Sequence, residues 1–434
     1  MSKVGRLRWS ILVLLILGTI INYVDRNALG ALAPVLREEL KFSNEQYSYI
    51  VAAFQVTYSL MQPVAGLVTD LIGLRFGYAI FAMFWGLAGL LHAFAGSWQS
   101  MAFFRGLLGV SEAAAIPAGA KTAALWFPIK ERSIATGWFT TGTSIGAMIA
   151  PPLVIWLSVT WGWREAFVVT GLLGVVFSVI WVLLYRNPEN HPRLTAEEHA
   201  YIKAGQEEPT ELRKVSVRKV LRKRKFWGIA LARFLTEPAW QTFSFWIPLY
   251  MVSERGMDMK QFALFAWMPF LAADLGAVVG GYLSPFLASR FRFTLVNSRI
   301  AGIGVAACCM IGPGLIGLAS SPVTAILLFS LGGFAHQMLS GLLYALGGDT
   351  FERQEIATAT GLAGMAGYIG GLSFSLIIGQ LASRIGYEPL FACLSLFEIT
   401  AFIVVVVFLG ERSNTAGGRT VEATSRPAVS PRGA

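Results

Sequence analysis

The 434 residues are 55% hydrophobic and only 14% charged, with a mean hydropathy of +0.59 and a formal net charge of +10. A water-soluble domain cannot cover that much apolar surface, which excludes a soluble enzyme or binding module and assigns the chain to a bilayer. Nucleic acid is not needed to explain the positive charge, because basic loops beside an anionic lipid surface account for it.

In chain order, apolar runs at 9–34, 47–71, 76–96, 100–123, 133–157, 165–186, 226–250, 261–285, 294–318, 323–346, 358–382 and 387–409 predict twelve transmembrane helices. Each is long enough to cross ~30 Å of hydrocarbon at about 1.5 Å per residue. A helix satisfies its own backbone in lipid, and no ten-residue alternation suggests a barrel. The first run holds Asp25 and Arg26 and lacks a small-residue cleavage pattern, so it reads as a retained helix, not a signal peptide. A polar stretch with Pro188, Pro192 and Pro209 divides the chain into six-helix bundles at 1–186 and 226–410. Residues 187–225 then form a linker, and the Ser-, Thr-, Pro-, Ala- and Gly-rich 411–434 a disordered tail. Placing both termini inside puts most of the 35 Lys and Arg in cytoplasmic segments, the linker run 213–225 above all. Cys308, Cys309 and Cys393 lie in apolar runs, which predicts packing and neither a disulfide nor a metal site.

Two loops recur across the divide. GLVTDLIGLR (66–75) matches GYLSPFLASR (281–290), and FPIKERSIATG (127–137) matches FERQEIATATG (351–361), in equivalent positions and the same order. Duplicated halves place a substrate site near the midplane between them, which is a transporter's design.

Charges within the helices narrow the site. Asp25 lies sixteen residues past Trp9, about 24 Å up the first helix, and Arg105 enters the fourth from the other side to a similar depth. Arg105 is therefore expected to pair with Asp25 or to share a carboxylate with Arg26. Glu112, two turns beyond Arg105, falls on nearly the same face roughly 10 Å deeper, so a line of charges is expected to face one cavity. Burial favours a protonated acid and a neighbouring guanidinium an ionised one, so Asp25 and Glu112 are the candidates for proton coupling. A fixed ion pair between the helices is the structural alternative. Arg26 is the choice for a substrate carboxylate, with Arg105 as the alternative, because a guanidinium grips a carboxylate through two parallel hydrogen bonds. Glu237 either marks a broken helix or pairs with Arg233 one turn earlier, and Asp274 and Glu398 receive no role. Gly142-xxx-Gly146 and Gly361, Gly364, Gly367, Gly370 and Gly371 offer small faces for close helix contact.

Gly66, Asp70, Gly73 and Arg75 resemble the signature loop of the major facilitator superfamily, although Leu71 stands where a basic residue is usual and Pro285 replaces the acid of the second copy. NYxDR (22–26), RxxxxxxE (105–112) and WFPxxER (126–132) together resemble its anion:cation symporter family. Segments 233–248, 269–276, 336–351 and 364–371 look like bacterial hexuronate transporters, with departures at Glu237 and at Gly348-Asp349-Thr350. The resemblance implies an all-α major facilitator fold with both termini cytoplasmic, in a bacterial inner membrane. It also implies a monomeric proton-coupled symporter for a hexuronate such as galacturonate or glucuronate, with protons as coupling ion and no other cofactor. Tyr23 and Tyr58 would line the cavity, and Asp70 with Arg75 would gate its cytoplasmic side. Gln241, His336, Gln337, Thr360 and Ser373 would supply polar groups for sugar hydroxyls, His336 reading equally as an interhelical hydrogen bonder. An exporter or antiporter is the runner-up, but Gly142-xxx-Gly146 is not followed by the Gly-Pro pair typical of proton-driven exporters. A sensor would need an output domain, for which linker and tail are too short and polar. An enzyme would need a nucleophile with its base, a nucleotide loop or a metal cluster, and none is evident among four His and three Cys.

Overall fold

The computed structural model describes residues 5–203, 217–351 and 356–410, without the side chains of Pro63, Leu67, Asp70, Arg132 and a few others around 129–136 and 356–358. The predicted tail, the first part of the basic linker run and the charged start of the repeated loop at 352–355 lie outside the described residues. Among those described, the chain is helical throughout and forms no strand. The first group comprises α1 (Leu7–Leu40), α2 (Asn44–Ile72), α3 (Leu74–Leu91), α4 (Trp98–Glu112), α5 (Ala115–Trp126), α6 (Ile129–Trp161) and α7 (Trp163–Leu184). Two short helices follow in the linker, α8 (Ala196–Lys203) and α9 (Val217–Leu221). The second group comprises α10 (Arg224–Phe245), α11 (Ile247–Ser253), α12 (Met259–Phe265), α13 (Met268–Phe291), α14 (Leu295–Cys309), α15 (Ile311–Gly314), α16 (Pro322–Thr350), α17 (Ile356–Ile385) and α18 (Glu388–Leu409).

Local chemistry sets the breaks. Ser43 and Gln46 form a capping box at the start of α2, Ser97 caps α4, and Ser321 caps α16 with Pro322 behind it. Gly73 and Gly162, at φ of +89° and +117°, make the turns into α3 and α7 that a side chain would strain. Pro117 has no N–H to offer the Ala113 carbonyl, and the helix restarts there as α5.

Among the described residues, ten segments are long and apolar enough to cross a membrane. Bulky apolar side chains such as Phe84, Trp156 and Leu183 point outward, as a lipid-facing surface requires. Cys308 is on that surface too, contrary to the core position expected. α2 and α10 also reach spanning length, and in α10 Arg233, Glu237 and Gln241 interrupt the apolar character.

The two groups pack in the same order. α1 pairs with α6, α2 with α4 and α3 with α7; correspondingly α10 pairs with α17, α13 with α16 and α14 with α18. Small residues bring the partners together: a β-carbon at Gly146 would sit 2.6 Å from Tyr23 Cβ, and one at Gly371 2.6 Å from Gln241 Cγ. Gly361 and Gly364, expected on the same packing face, instead meet nothing within 4 Å among the described residues. In the linker, α8 is fastened to the first group by Arg8, whose Nε reaches Glu131 at 2.9 Å and whose Nη1 reaches Glu198 at 3.1 Å. Burial alone would raise the Glu131 carboxyl pKa; hydrogen bonds from Arg8 and Tyr201 outweigh it and hold it below the usual range.

Gly146→Ala is expected to destabilise the protein by about 1–3 kcal/mol, because α1 and α6 must separate to admit the methyl group. Thermal unfolding in detergent measures this, and an unchanged midpoint would show that the contact tolerates the volume.

Candidate binding cavity

A cavity of about 240 Å³ lies between the two groups of helices. Tyr23, Arg26 and Asn27 of α1, Gln55 of α2 and Thr143 and Ser144 of α6 form one wall. Arg233, Glu237, Trp240 and Gln241 of α10, with His336, Gln337 and Ser340 of α16 and Tyr368 of α17, form the other. One end is shut. There Tyr47 packs edge-on against Trp246 at 5.1 Å and donates its hydroxyl to the Phe245 carbonyl at 2.8 Å, within a core shared by both groups. Gln55 Nε2 donates to Gln241 Oε1 at 2.8 Å, a second bridge beside the cavity. Toward the face carrying the linker and both ends of the described chain, the core divides in two, one part built from each group.

Arg26 is the centre of the first wall. Its Nε donates to Glu112 Oε2 at 2.8 Å, and Nη2 lies 3.4 Å from Asn22 Oδ1. Rings enclose the guanidinium: Tyr23, Tyr58 and Phe54 lie 4.5, 4.6 and 5.2 Å from it. Glu112 is fully buried at the C-terminal end of α4, where the helix dipole disfavours a carboxylate, and its Oε1 accepts no hydrogen bond. Arg26 is thus the counter-charge that this buried acid faces.

The expected line of charges is therefore rearranged. Arg105 does not line the cavity and pairs with no acid among the described residues; fully buried, it donates to the Arg26 backbone carbonyl and lies 4.8 Å from the Phe54 ring. Asp25 is buried as well, but on another side of α1, set toward Thr170 and beside Gly89. Neither of its oxygens reaches hydrogen-bonding geometry. Successive helical residues point about 100° apart, so Arg26 faces the cavity and Asp25 the packed helices behind it.

Of the other expected residues, Tyr23, Gln241, His336 and Gln337 line the cavity, and Tyr58 lies behind Arg26. Thr360 and Ser373 do not. Thr360 is eight residues from Tyr368, about 12 Å along α17, and lines a small separate pocket. Ser373 is turned about 140° from Tyr368 and donates to its own helix at Ile369. Arg75, expected to gate with Asp70, donates to the Val182 carbonyl at 3.0 and 2.8 Å and so caps the end of α7; the Asp70 side chain is outside the described ones. Glu237 does not break α10, which runs on through Pro238; it pairs with Arg233 at 2.9 Å. Sequence reasoning missed Gln55, Trp240, Ser340 and Tyr368. Arg233, Glu237 and Gln241, four residues apart on one helical face, were the readable signal of a polar stripe.

The sequence matches the model of the Major Facilitator Superfamily over residues 15–374. The chain belongs to this superfamily. It is 49% identical over 408 residues to the hexuronate transporter of Escherichia coli K12, covering 93% of this chain and 94% of that protein. It is 47% identical over 329 residues to the galacturonate transporter of Dickeya chrysanthemi, covering 75% and 95%. These relatives are named as transporters, not enzymes. The fold also matches the crystal structure of a bacterial homolog of the human lysosomal transporter Spinster, inward-facing and unoccupied, with a TM-score of 0.75 at 18% identity over 95% of this chain and all of that one.

Arg26→Ala is expected to cost about 3–5 kcal/mol of stability, because it strands Glu112 in a buried site. Adding Glu112→Gln to the same chain recovers most of the loss. Unfolding of the single and double variants in detergent measures this, and a double variant no more stable than Arg26→Ala would refute the pairing.

Proposed function

We propose that this protein is a proton-coupled symporter that imports a hexuronate across the bacterial inner membrane by alternating access. The relatives' substrates support the substrate class, and the Arg26–Glu112 pair on the cavity wall is the observation that carries the mechanism. Arg26 commits Nε to Glu112, which leaves the Nη1–Nη2 edge to take a sugar carboxylate in a two-pronged grip. Two carboxylates on one buried guanidinium leave an uncompensated negative charge, and a proton on Glu112 restores the balance. Asp25, behind the wall, is the second coupling acid in this reading.

Coupling answers an electrical problem. Moving a lone anion inward opposes a negative-inside potential by about 2.3 kcal/mol per charge per 100 mV, and one co-transported proton cancels that charge. The reading takes the chain as a monomer of twelve spans, α2 and α10 included, with both termini cytoplasmic. The shared aromatic core then seals the outer side, and the cavity faces the cytoplasm. Residues 1–186 and 226–410 are the two bundles that rock about it. No cofactor beyond the proton is required.

Uptake of labelled galacturonate into sealed proteoliposomes tests this reading. Accumulation against a gradient is expected when an inward-directed pH gradient is imposed, and Glu112→Gln is expected to lose accumulation while keeping exchange in counterflow. Accumulation that ignores the pH gradient would overturn the coupling, and loss of exchange with normal folding would overturn the role given to Glu112.

A further inference from the structure

The second wall contains a buried acid that this mechanism does not use. Glu398 of α18 is 1% exposed, and its Oε1 lies 2.9 Å from Nδ1 of His336 on α16, itself 2% exposed. The other carboxylate oxygen, Oε2, has no hydrogen-bond partner among the described residues. His336 lines the cavity, and its ring lies nearly parallel to Trp240 at 6.0 Å, which restrains rotation. With Nδ1 taken by Glu398, the nitrogen left for a ligand is Nε2.

The protonation of this pair follows from charge balance. An unpaired carboxylate at this depth is costly, and the guanidinium of Arg233 is already held by Glu237 and Ser340. Two arrangements are neutral overall. If the shared proton is on the ring, both ring nitrogens carry hydrogen and Nδ1–H donates to the carboxylate. If it is on Glu398, the acid donates to Nδ1 and the ring's own hydrogen is on Nε2. In both, Nε2–H is a donor.

We propose that Glu398 is a positioning residue that fixes His336 as a permanent Nε2–H donor, and that this donor binds a hydroxyl or ring oxygen of the sugar at the pole opposite its carboxylate. The inference rests on the proposed hexuronate site. It assigns the two walls different tasks: Arg26 and Glu112 read and balance the anion, while His336 and Glu398 keep their proton and read the sugar. Changes at Glu398 therefore alter recognition and leave coupling intact.

Counterflow in proteoliposomes with galacturonate and its single-deoxy analogues tests this. Glu398→Ala is expected to raise the half-saturation concentration for galacturonate about three- to tenfold, the value of one hydrogen bond, with the maximal exchange rate unchanged. The penalty should vanish for one deoxy analogue, the one that lacks the oxygen being read. Glu398→Gln should recover most of the affinity, since its amide N–H donates to Nδ1 and leaves the hydrogen on Nε2. Accumulation driven by a pH gradient should persist in both variants. The proposal is overturned if Glu398→Ala penalises every analogue equally, if Glu398→Gln behaves like Glu398→Ala, or if accumulation is lost. Should Glu398→Ala fail to reach the membrane, His336→Gln measured against the same analogues gives the same discrimination. Failure of the unaltered protein to exchange any hexuronate would overturn the proposed function along with this inference. Exchange by the unaltered protein, with no discrimination by the variants, would overturn this inference alone.

Discussion

Everything about the cavity depends on one ion pair that neither partner can leave without replacement. Arg26 and Glu112 meet at 2.8 Å with almost no exposure, enclosed by Tyr23, Phe54 and Tyr58. Low dielectric strengthens their attraction and equally raises the cost of parting them. Such a pair is a poor device for stability alone, since apolar residues of the same volume would serve as well. In the proposed mechanism its use is as an exchange point: a second anion at the same guanidinium brings a proton with it, so that coupling follows from local charge balance without a dedicated proton channel. Arg105 serves this arrangement from behind by fastening the backbone of Arg26, which aims the guanidinium.

In the proposed mechanism the surrounding helices convert that balance into movement. Because α1–α6 and α10–α17 pack in matching fashion on small residues, each half is stiff within itself. Between the halves, close packing of Gly30 against Ser244 and of Gly379 against Ser48 is joined by a hydroxyl on a carbonyl at Tyr47, an amide pair at Gln55 and Gln241, and aromatic edges around Trp246. The hydrogen bonds and ring contacts among these can be exchanged for water or for others at modest cost. The open surroundings of Gly361 and Gly364 fit a helix that closes on a partner in another arrangement of the halves.

Much of this was legible in the residues. Runs of twenty apolar side chains foretell helices because lipid allows little else, and the recurrence of two loops foretold paired halves. The constant rise per residue was useful too, and the expected nearness of Arg26, Arg105 and Glu112 appears as direct contacts of Arg26 with both. Azimuth was not legible. Asp25 and Arg26 are neighbours in sequence yet point about 100° apart, and only the packing of α1 against α6 and α7 decides which one meets the cavity. The same uncertainty put Ser373 on the wall, where Tyr368 stands instead, while Thr360 lies about 12 Å farther along α17. His336 and Glu398 are 62 residues apart on different helices, and no local pattern joins them.

The central claim is that an anion at Arg26 obliges Glu112 to take a proton. Proton uptake accompanying galacturonate binding, followed with a pH indicator in weakly buffered detergent solution, measures it directly. The account predicts uptake of about one proton per sugar acid bound, and a clearly smaller uptake in Glu112→Gln, where only Asp25 is left to accept one. Saturable binding with no change in bound protons in the unaltered protein would contradict it.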